Sequence, residues 1–269
     1  MCAVVAVPSE SPIELLSSLE DNLRVFRERL FAPDNADVLP RRFRSGAFES
    51  ALLAIDGMTD SREIDENILK PCMDLPGDAG KDIAEGERIA FLMAHAVSIL
   101  PIRFKTNMDD LIADALSGQC VLLCEGCSVA CVMDTRGFEH RSVTEPQAEK
   151  VVRGPQEAFV ENLRTNITLL RRILHTEDLV CEMRGAGGDN GIRLAILYRE
   201  GITNITLVEE VKRRLAQIDT RTVIGMGVLE QLTEEHSLSP FPQVLQTERP
   251  DRSAALLMQG HVVVLLDGS

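Results

Sequence analysis

Four cysteines within twelve residues, Cys120, Cys124, Cys127 and Cys131, form the densest group of potential ligands in the sequence. Thiolates so spaced suggest zinc or an iron–sulfur cluster. Their neighbours argue otherwise. Val121, Leu122, Leu123, Val129, Ala130 and Val132 are apolar, and the runs Cys120–Cys124 and Ser128–Asp134 flank Glu125-Gly126, which is the pattern of a β-hairpin. A two-residue turn there sets Cys124 opposite Cys127 and Cys120 opposite Cys131, all on one face. Cys120 and Cys124 then stand about 13 Å apart at roughly 3.3 Å per residue, while a zinc–sulfur bond is only about 2.3 Å long. The expectation is no metal, and cysteines that serve as small buried residues.

Other chemistry is as thinly supported. Arg184 to Gly191 is glycine-rich but lacks the Lys-Ser/Thr ending of a phosphate loop, and a strand pattern follows it. A hairpin turn is the simpler expectation. His95, His140, His175, His236 and His261 are scattered, and the acids Glu234-Glu235 beside His236 suit a solvated helix end. Neither a nucleophile elbow, a zincin helix nor a kinase set is present. No catalytic residue, cofactor or enzymatic activity is therefore expected. Two polar clusters remain. The first is Arg153, Glu157, Glu161, Arg164 and Asn166, at the start of a long amphipathic pattern; the second is Phe241, Glu248, Arg249 and Asp251, ahead of another. Capping is one role for such residues. The other is docking, since paired charges at helix starts are fixed in place.

Composition narrows the partners. The 269 residues carry a net charge of −14, with no Trp and one Tyr. Phosphate backbones demand a basic surface, so nucleic acid is not an expected partner. No run of 18 apolar residues exists to span a bilayer. Met1 to Val7 is apolar but short, lacks a basic lead and meets Pro8, so no signal peptide is expected. Seven cysteines without a secretory context point to reduced thiols in a cytosolic compartment.

Helical spacing of Ile13, Leu16, Leu19, Leu23, Phe26 and Leu30 predicts a first helix capped at Ser11-Pro12. A buried strand is expected over Ala51–Ile55, helices over Ser61–Leu69, Gly86–His95 and Met108–Leu116, and a strand over Ile99–Phe104. Thr135 to Val151 reads as a linker. Beyond it, Gly154-Pro155 opens a helix carrying Phe159, Leu163, Ile167, Leu170 and Leu174. A second hairpin pairs Leu179–Arg184 with Ile192–Tyr198. Helices starting at Thr206, near Val228–Glu235 and over Pro250–Gln259 follow, then a strand His261–Leu266. Helices alternating with short strands imply an α/β fold of two small mixed α/β layered subdomains, 1–135 and 153–269, joined by 136–152. A hairpin in each half implies sheets of mixed strand direction.

The two polar clusters also carry a resemblance. The run EPxxExVVRGPxExFxENLxTNxxLLRRI, Glu145 to Ile173, and SPFPQxxxTERPD, Ser239 to Asp251, resemble the A-subunit family of bacterial spore germinant receptors, the GerA family. The segments Leu19–Phe43, Ile55–Met58 and Ile68–Pro71 fit it more loosely. Gln156 stands where the family has a basic residue, and Ala158 where it has Gly. The resemblance implies a hydrophilic N-terminal region of two α/β subdomains ahead of transmembrane helices, which this chain would lack. It implies the spore inner membrane, with this region on the cytoplasmic, spore-core side. It also implies B and C subunits and other A subunits as partners, and a role in coupling nutrient sensing and receptor assembly to ion release. Alternatives are an A-like subunit associated with the dipicolinic acid channel, or a small-molecule module with a cleft between subdomains.

Overall fold

The structure is a computed structural model and describes residues 13–137, 149, 157–186, 192–218 and 244–268. Its described residues divide into two compact units. The first takes those within Met1–Arg29, Leu39–Ile55 and Thr59–Gly137; the second those within Leu30–Val38, Asp56–Met58 and Phe138–Ser269. The second unit thus draws two segments from the N-terminal half.

The first unit is built on a five-stranded sheet of order β1-β2-β4-β5-β3, with β1 Val38–Ser45, β2 Phe48–Ile55, β3 Ile102–Lys105, β4 Cys120–Cys124 and β5 Ala130–Met133. Side chains alternate across the sheet. Leu52, Cys120, Leu122, Cys124 and Cys131 join one core cluster with Ile64, Ile68, Leu69, Ile89 and Leu92. Those partners come from α2 (Ser61–Ile64), a π-turn at Asp65–Leu69 and α4 (Arg88–His95), the α3 turn (Lys70–Met73) continuing the same layer. Leu53, Val121 and Leu123, also buried, face the other way, and α1 (Leu19–Arg29) and α5 (Met108–Leu116) pack on β2 and β4.

The second unit is a three-layer sandwich. Its sheet, β6-β7-β8, comprises Leu179–Ala186, Ile192–Arg199 and Val263–Leu266. On one face Cys181, Ala195, Leu197 and Leu265 pack against Leu163, Ile167 and Leu170 of α6 (Leu163–Ile173) and Ala254 and Leu257 of α8 (Pro250–Met258). On the other, Val180, Leu194, Ile196, Tyr198 and Leu266 meet Val208 and Leu215 of α7 (Ile205–Ala216).

The α/β class holds, with differences in detail. The ladders with defined register, β2–β4, β3–β5, β4–β5, β6–β7 and β7–β8, are all antiparallel, so strand direction in them is not mixed. The adjacent pairs β4–β5 and β6–β7 are hairpins, and β3 goes to the far edge of its sheet rather than beside β2, so no parallel crossover forms there. β1 was not expected. Pro40 and three arginines hide its pattern, and proline suits an edge strand. Helix α1 begins only at Leu19, and Ile13 and Leu16 are exposed. The first hairpin pairs Leu122, not Cys120, with Cys131. Its turn is longer: Cys127 points its thiol at the Glu85 carbonyl, 2.9 Å away, and pairing with β4 resumes only at Cys131. A slip of two residues keeps every side chain on its face, so the cysteines still lie in one core. The expected helix near Val228–Glu235, the Ser11-Pro12 cap, the glycine-rich turn and most of the expected linker lie outside the described residues.

One charged cluster is embedded in this frame. Glu182, on β6, accepts from the Tyr198 hydroxyl at 2.8 Å and from Arg184 Nη2 at 2.8 Å, and Lys212 of α7 lies 2.6 Å away. Burial pushes the Glu182 carboxyl up, but the hydrogen bonds from Lys212, Arg184 and Tyr198 outweigh it and hold it below its ordinary value of 4.5. A depressed carboxylate stabilises the fold above its unfolded value and loses that contribution as pH falls through the folded one. The Glu182→Gln variant is expected to be less stable at pH 7 by about 1–3 kcal/mol, and to lose less stability on acidification below about pH 4.5 than the parent. Urea midpoints measured from pH 3 to 7 test this; parallel curves would show that the cluster is not linked to folding.

Candidate functional site

The start of α6 is where the sequence-distant charged segments meet. Asn162 has extended backbone, and its Oδ1 accepts the Thr165 N–H at 3.0 Å, an N-cap. Asp267, just past β8, accepts the Leu163 N–H at 3.1 Å through Oδ1. Its Oδ2 accepts from Arg193 Nη2 at 2.9 Å and Nε at 3.2 Å. A carboxylate at this end of a helix satisfies an orphan donor and opposes the helix dipole. Gly268 N–H donates to the Glu161 carbonyl at 2.7 Å, so the exit from β8 is held twice.

Asn166 explains why the helix starts here and not at Gly154-Pro155 as expected. It is buried, and its amide spans Val160, accepting the N–H at 2.8 Å and donating to the carbonyl at 2.6 Å. Those bonds hold Val160 outside the helix. Phe159 and the acids Glu157 and Glu161 therefore lie on the segment leading into α6, not on the helix itself.

Within α6, Arg164 makes a two-pronged ion pair with Asp56, Nε to Oδ2 being 2.9 Å. Asp56 is set by its own N–H, which donates to the Asp37 carbonyl at 2.7 Å. The next residue must be glycine: Gly57 has φ 79°, and a Cβ there would stand 2.1 Å from Thr168 Oγ1. About two turns beyond Arg164, Arg171 is 1% exposed and grips Asp37, 6% exposed, through Nε–Oδ2 at 2.7 Å and Nη2–Oδ1 at 2.9 Å. Arg171 Nη2 also donates to Asn35 Oδ1 at 2.9 Å. Burial pulls the Arg171 guanidinium down, but Asp37 more than offsets it and keeps it charged.

The second motif joins the first through the backbone. Phe159 N–H donates to the Glu248 carbonyl at 2.9 Å. Arg249 occupies the cap position of α8 and chelates Asp251, Nε to Oδ1 being 3.0 Å. The Arg249 hydrogen bond holds the Asp251 carboxyl below its ordinary value, against the effect of partial burial. Thr247 and Arg252 both bind the Glu149 carboxylate, at 2.6 and 2.7 Å. Beside these elements lies a depression of about 360 Å³ lined by Asp37, Asp56, Arg164, Met183, Arg193 and Asp267, among others.

The expected docking residues therefore separate by exposure. Glu161, Arg164 and Glu248 are exposed, and Glu157 is half-buried with its carboxylate 3.5 Å from Arg172. Arg249 and Asp251 are half-buried against each other, and Asn166 is inside. Arg153 and Phe241 lie outside the described residues. Sequence reasoning missed Asn35, Asp37, Asp56, Arg193 and Asp267. Of these, Asp56-Gly57 left a trace as a turn signal after a strand pattern, and Asp267-Gly268 as the end of the last apolar strand.

The comparisons agree with one another. A family model described as "Bacillus/Clostridium GerA spore germination protein" matches residues 25–269. Spore germination protein B1 of Bacillus subtilis (strain 168) is 31% identical over 96% of this chain and 52% of its own length. Spore germination protein KA of the same strain is 28% identical over 97% of this chain and 47% of its own. The chain thus spans about half the length of the curated relatives it matches. Among solved structures, the N-terminal domain of the A subunit of the Bacillus megaterium spore germinant receptor GerK3 superposes with a TM-score of 0.74 at 26% identity, covering 97% of this chain and 95% of that one.

Three variants test the frame of the site. Asp37→Ala leaves a buried guanidinium uncompensated and is expected to cost about 3–5 kcal/mol, whereas Asp37→Leu combined with Arg171→Met recovers most of the loss. Gly57→Ala is expected to destabilise by more than 1 kcal/mol through its left-handed φ and its clash. Denaturant unfolding reads all three; an Asp37→Ala protein as stable as the parent would remove the ion pair from its place in the fold.

Proposed function

We propose, from the premise that this chain belongs to the Bacillus/Clostridium GerA spore germination protein family, that it is the N-terminal region of a germinant-receptor A subunit and works by binding and coupling, not by catalysis. The observation that carries this is the convergence at the α6 start of three segments far apart in sequence: Glu157–Asn166, Thr247–Asp251 and Asp267-Gly268. Two of them are the runs that resemble the receptor A subunits. Their charges are already oriented, Arg164 by Asp56, Arg193 by Asp267 and Arg249 by Asp251. Ordered groups lose less freedom on binding, which favours a docking surface. The partners are the B and C subunits and further A subunits.

In the longer protein the chain would continue past Ser269 into membrane-spanning helices in the spore inner membrane, with this region on the spore-core side. Among the described residues no helix is long and apolar enough to cross a membrane. Asp267 and Gly268 clamp the exit from β8 onto the segment that begins α6. A shift of the membrane helices would pull on that clamp, and docking at the α6 start would bias the helices in return. That is a population shift between two states, of the kind needed to couple nutrient sensing to ion release. A second function, binding of a small molecule, is favoured by the depression beside Arg164 and Asp56, whose volume lies at the low end of ligand sites.

The test is charge reversal on the exposed rim. Glu161→Lys with Arg164→Glu in the full-length protein is expected to leave the fold intact by circular dichroism, and to lower co-purification with B and C subunits severalfold. Parental co-purification would refute docking at this surface. Calorimetric heat on adding a germinant to the isolated chain, abolished by Arg193→Ala, would favour the small-molecule function instead.

A further inference from the structure

The turn between β4 and β5 holds chemistry that a docking role does not use. Cys127 N–H donates to the Cys124 carbonyl at 3.1 Å, closing a four-residue turn with Gly126 in third place at φ 84°. Such a turn brings its first and last Cα within about 7 Å, the span a disulfide bridges. Both thiols are buried there, and Cys127 Sγ–H donates to the Glu85 carbonyl at 2.9 Å. The Glu85 carbonyl also accepts the backbone N–H of Arg88, the first residue of α4, so Cys127 stands at that helix start. Arg88 Nη1 donates to the Glu125 carbonyl at 2.9 Å and so holds turn and helix together.

This setting separates one thiol from the others. Beside Cys124, and close to the Ile89 and Arg88 backbone and the Arg88 charge, the Cys127 thiol is lowered from its ordinary value despite burial. Cys124 moves up, first through Cys127 beside it and then through burial. Burial alone pushes Cys72 to about 11, and it is the main cause that takes Cys120 and Cys131 to about 12. A thiol near a helix start with a second thiol three positions away is the arrangement of a Cys-x-x-Cys pair.

We infer that Cys124 and Cys127 are a redox-active dithiol that reacts with a low-molecular-weight disulfide and closes to an intramolecular disulfide. The Cys127 thiolate attacks one sulfur of R–S–S–R, forms Cys127–S–S–R and expels RS⁻. Cys124 gives its proton to that RS⁻, attacks the Cys127 sulfur and releases the second RS⁻, which takes up the proton Cys127 had lost to solvent. Two protein thiols are oxidised, and one small disulfide is reduced to two small thiols. Both cysteines are buried, but Glu125 and Ser128 beside them are exposed, so opening of this short tip admits the reagent. Closure also removes the Cys127 Sγ–H bond to the Glu85 carbonyl, the contact between the hairpin and the turn leading into α4.

The probe is oxidised glutathione on the whole chain, followed by acid quench, unfolding and alkylation. Two of the seven thiols are expected to be lost, with the peptide containing residues 124–127 two hydrogens lighter and free of glutathione. Cys124→Ser is expected to stop at a glutathione adduct on Cys127, and Cys127→Ser to give neither adduct nor bridge. In the unmutated chain, iodoacetamide labelling of Cys127 should rise at lower pH than labelling of Cys120, which requires no variant to fold. A fully reduced peptide after glutathione treatment, a bridge to another cysteine, or labelling of Cys127 with the same alkaline midpoint as Cys120 would each overturn the assignment.

Discussion

Arg171 and Asp37 place opposite charges where water does not reach, and the layout of the second unit follows from keeping them together. Neither group is tolerable alone in that interior. Residues 30–38 must therefore run beside β6, where Ala36 N–H donates to the Cys181 carbonyl at 2.9 Å and Cys181 N–H to Asn35 Oδ1 at 2.9 Å. The Asn35 amide also donates to the carbonyls of Leu30 and Leu179 at 3.0 and 3.1 Å. This segment hydrogen-bonds along the outer side of β6, an edge strand that would otherwise expose unpaired backbone groups. Because the Asp37 carbonyl holds the Asp56 N–H, the same pair also fixes Asp56, and Asp56 fixes Arg164. The charge that faces solvent at the α6 start is thus set from inside the protein.

That dependence matters for how such a surface can act. Long arginine side chains lose freedom when a partner orders them. Here Arg164, Arg193 and Arg249 are each held on a carboxylate before any partner arrives. Their surroundings differ, though. Arg193 and Arg164 are well exposed, so their pairs are weak and salt-sensitive. Arg249 and Asp251 are mostly covered and brace each other at the start of α8. Exposed, lightly held charges are the ones a partner can recruit without dismantling the fold.

Much of the architecture was legible in the sequence because apolar periodicity records burial. Leu163, Ile167, Leu170 and Leu174 lie in one core, as spaced, and Val208, Leu215 and Ile218 in another. Boundaries were less legible where a single polar side chain decides them. Asn162 and Asn166 start α6, and Asn204, accepting the Thr206 N–H at 3.0 Å, starts α7 one residue before Ile205. A sequence scan sees several plausible caps and cannot tell which finds its donor. The ion pair was invisible for another reason. Arg171 stands beside Arg172 in the last turn of an amphipathic helix, where arginine normally serves the dipole from the surface, and its partner lies 134 positions earlier. Long-range pairing of charges leaves no periodic mark.

The cysteines show the same limit from the other side. Composition treated the four in the first hairpin as equivalent, small and apolar, and for Cys120 and Cys131 that is adequate, since both sit on strands inside the core. Cys124 and Cys127 differ only in being at the end of a strand and in its turn. A turn changes two things at once: it brings residues three apart within bonding reach, and it points one of them at whatever the loop abuts. Here that is the Glu85 carbonyl, in the turn leading into α4, which also accepts the Arg88 N–H. Residue type and spacing alone describe a packed hairpin. The contact of Cys127 with the turn into α4 could be seen only once the sheet had been built.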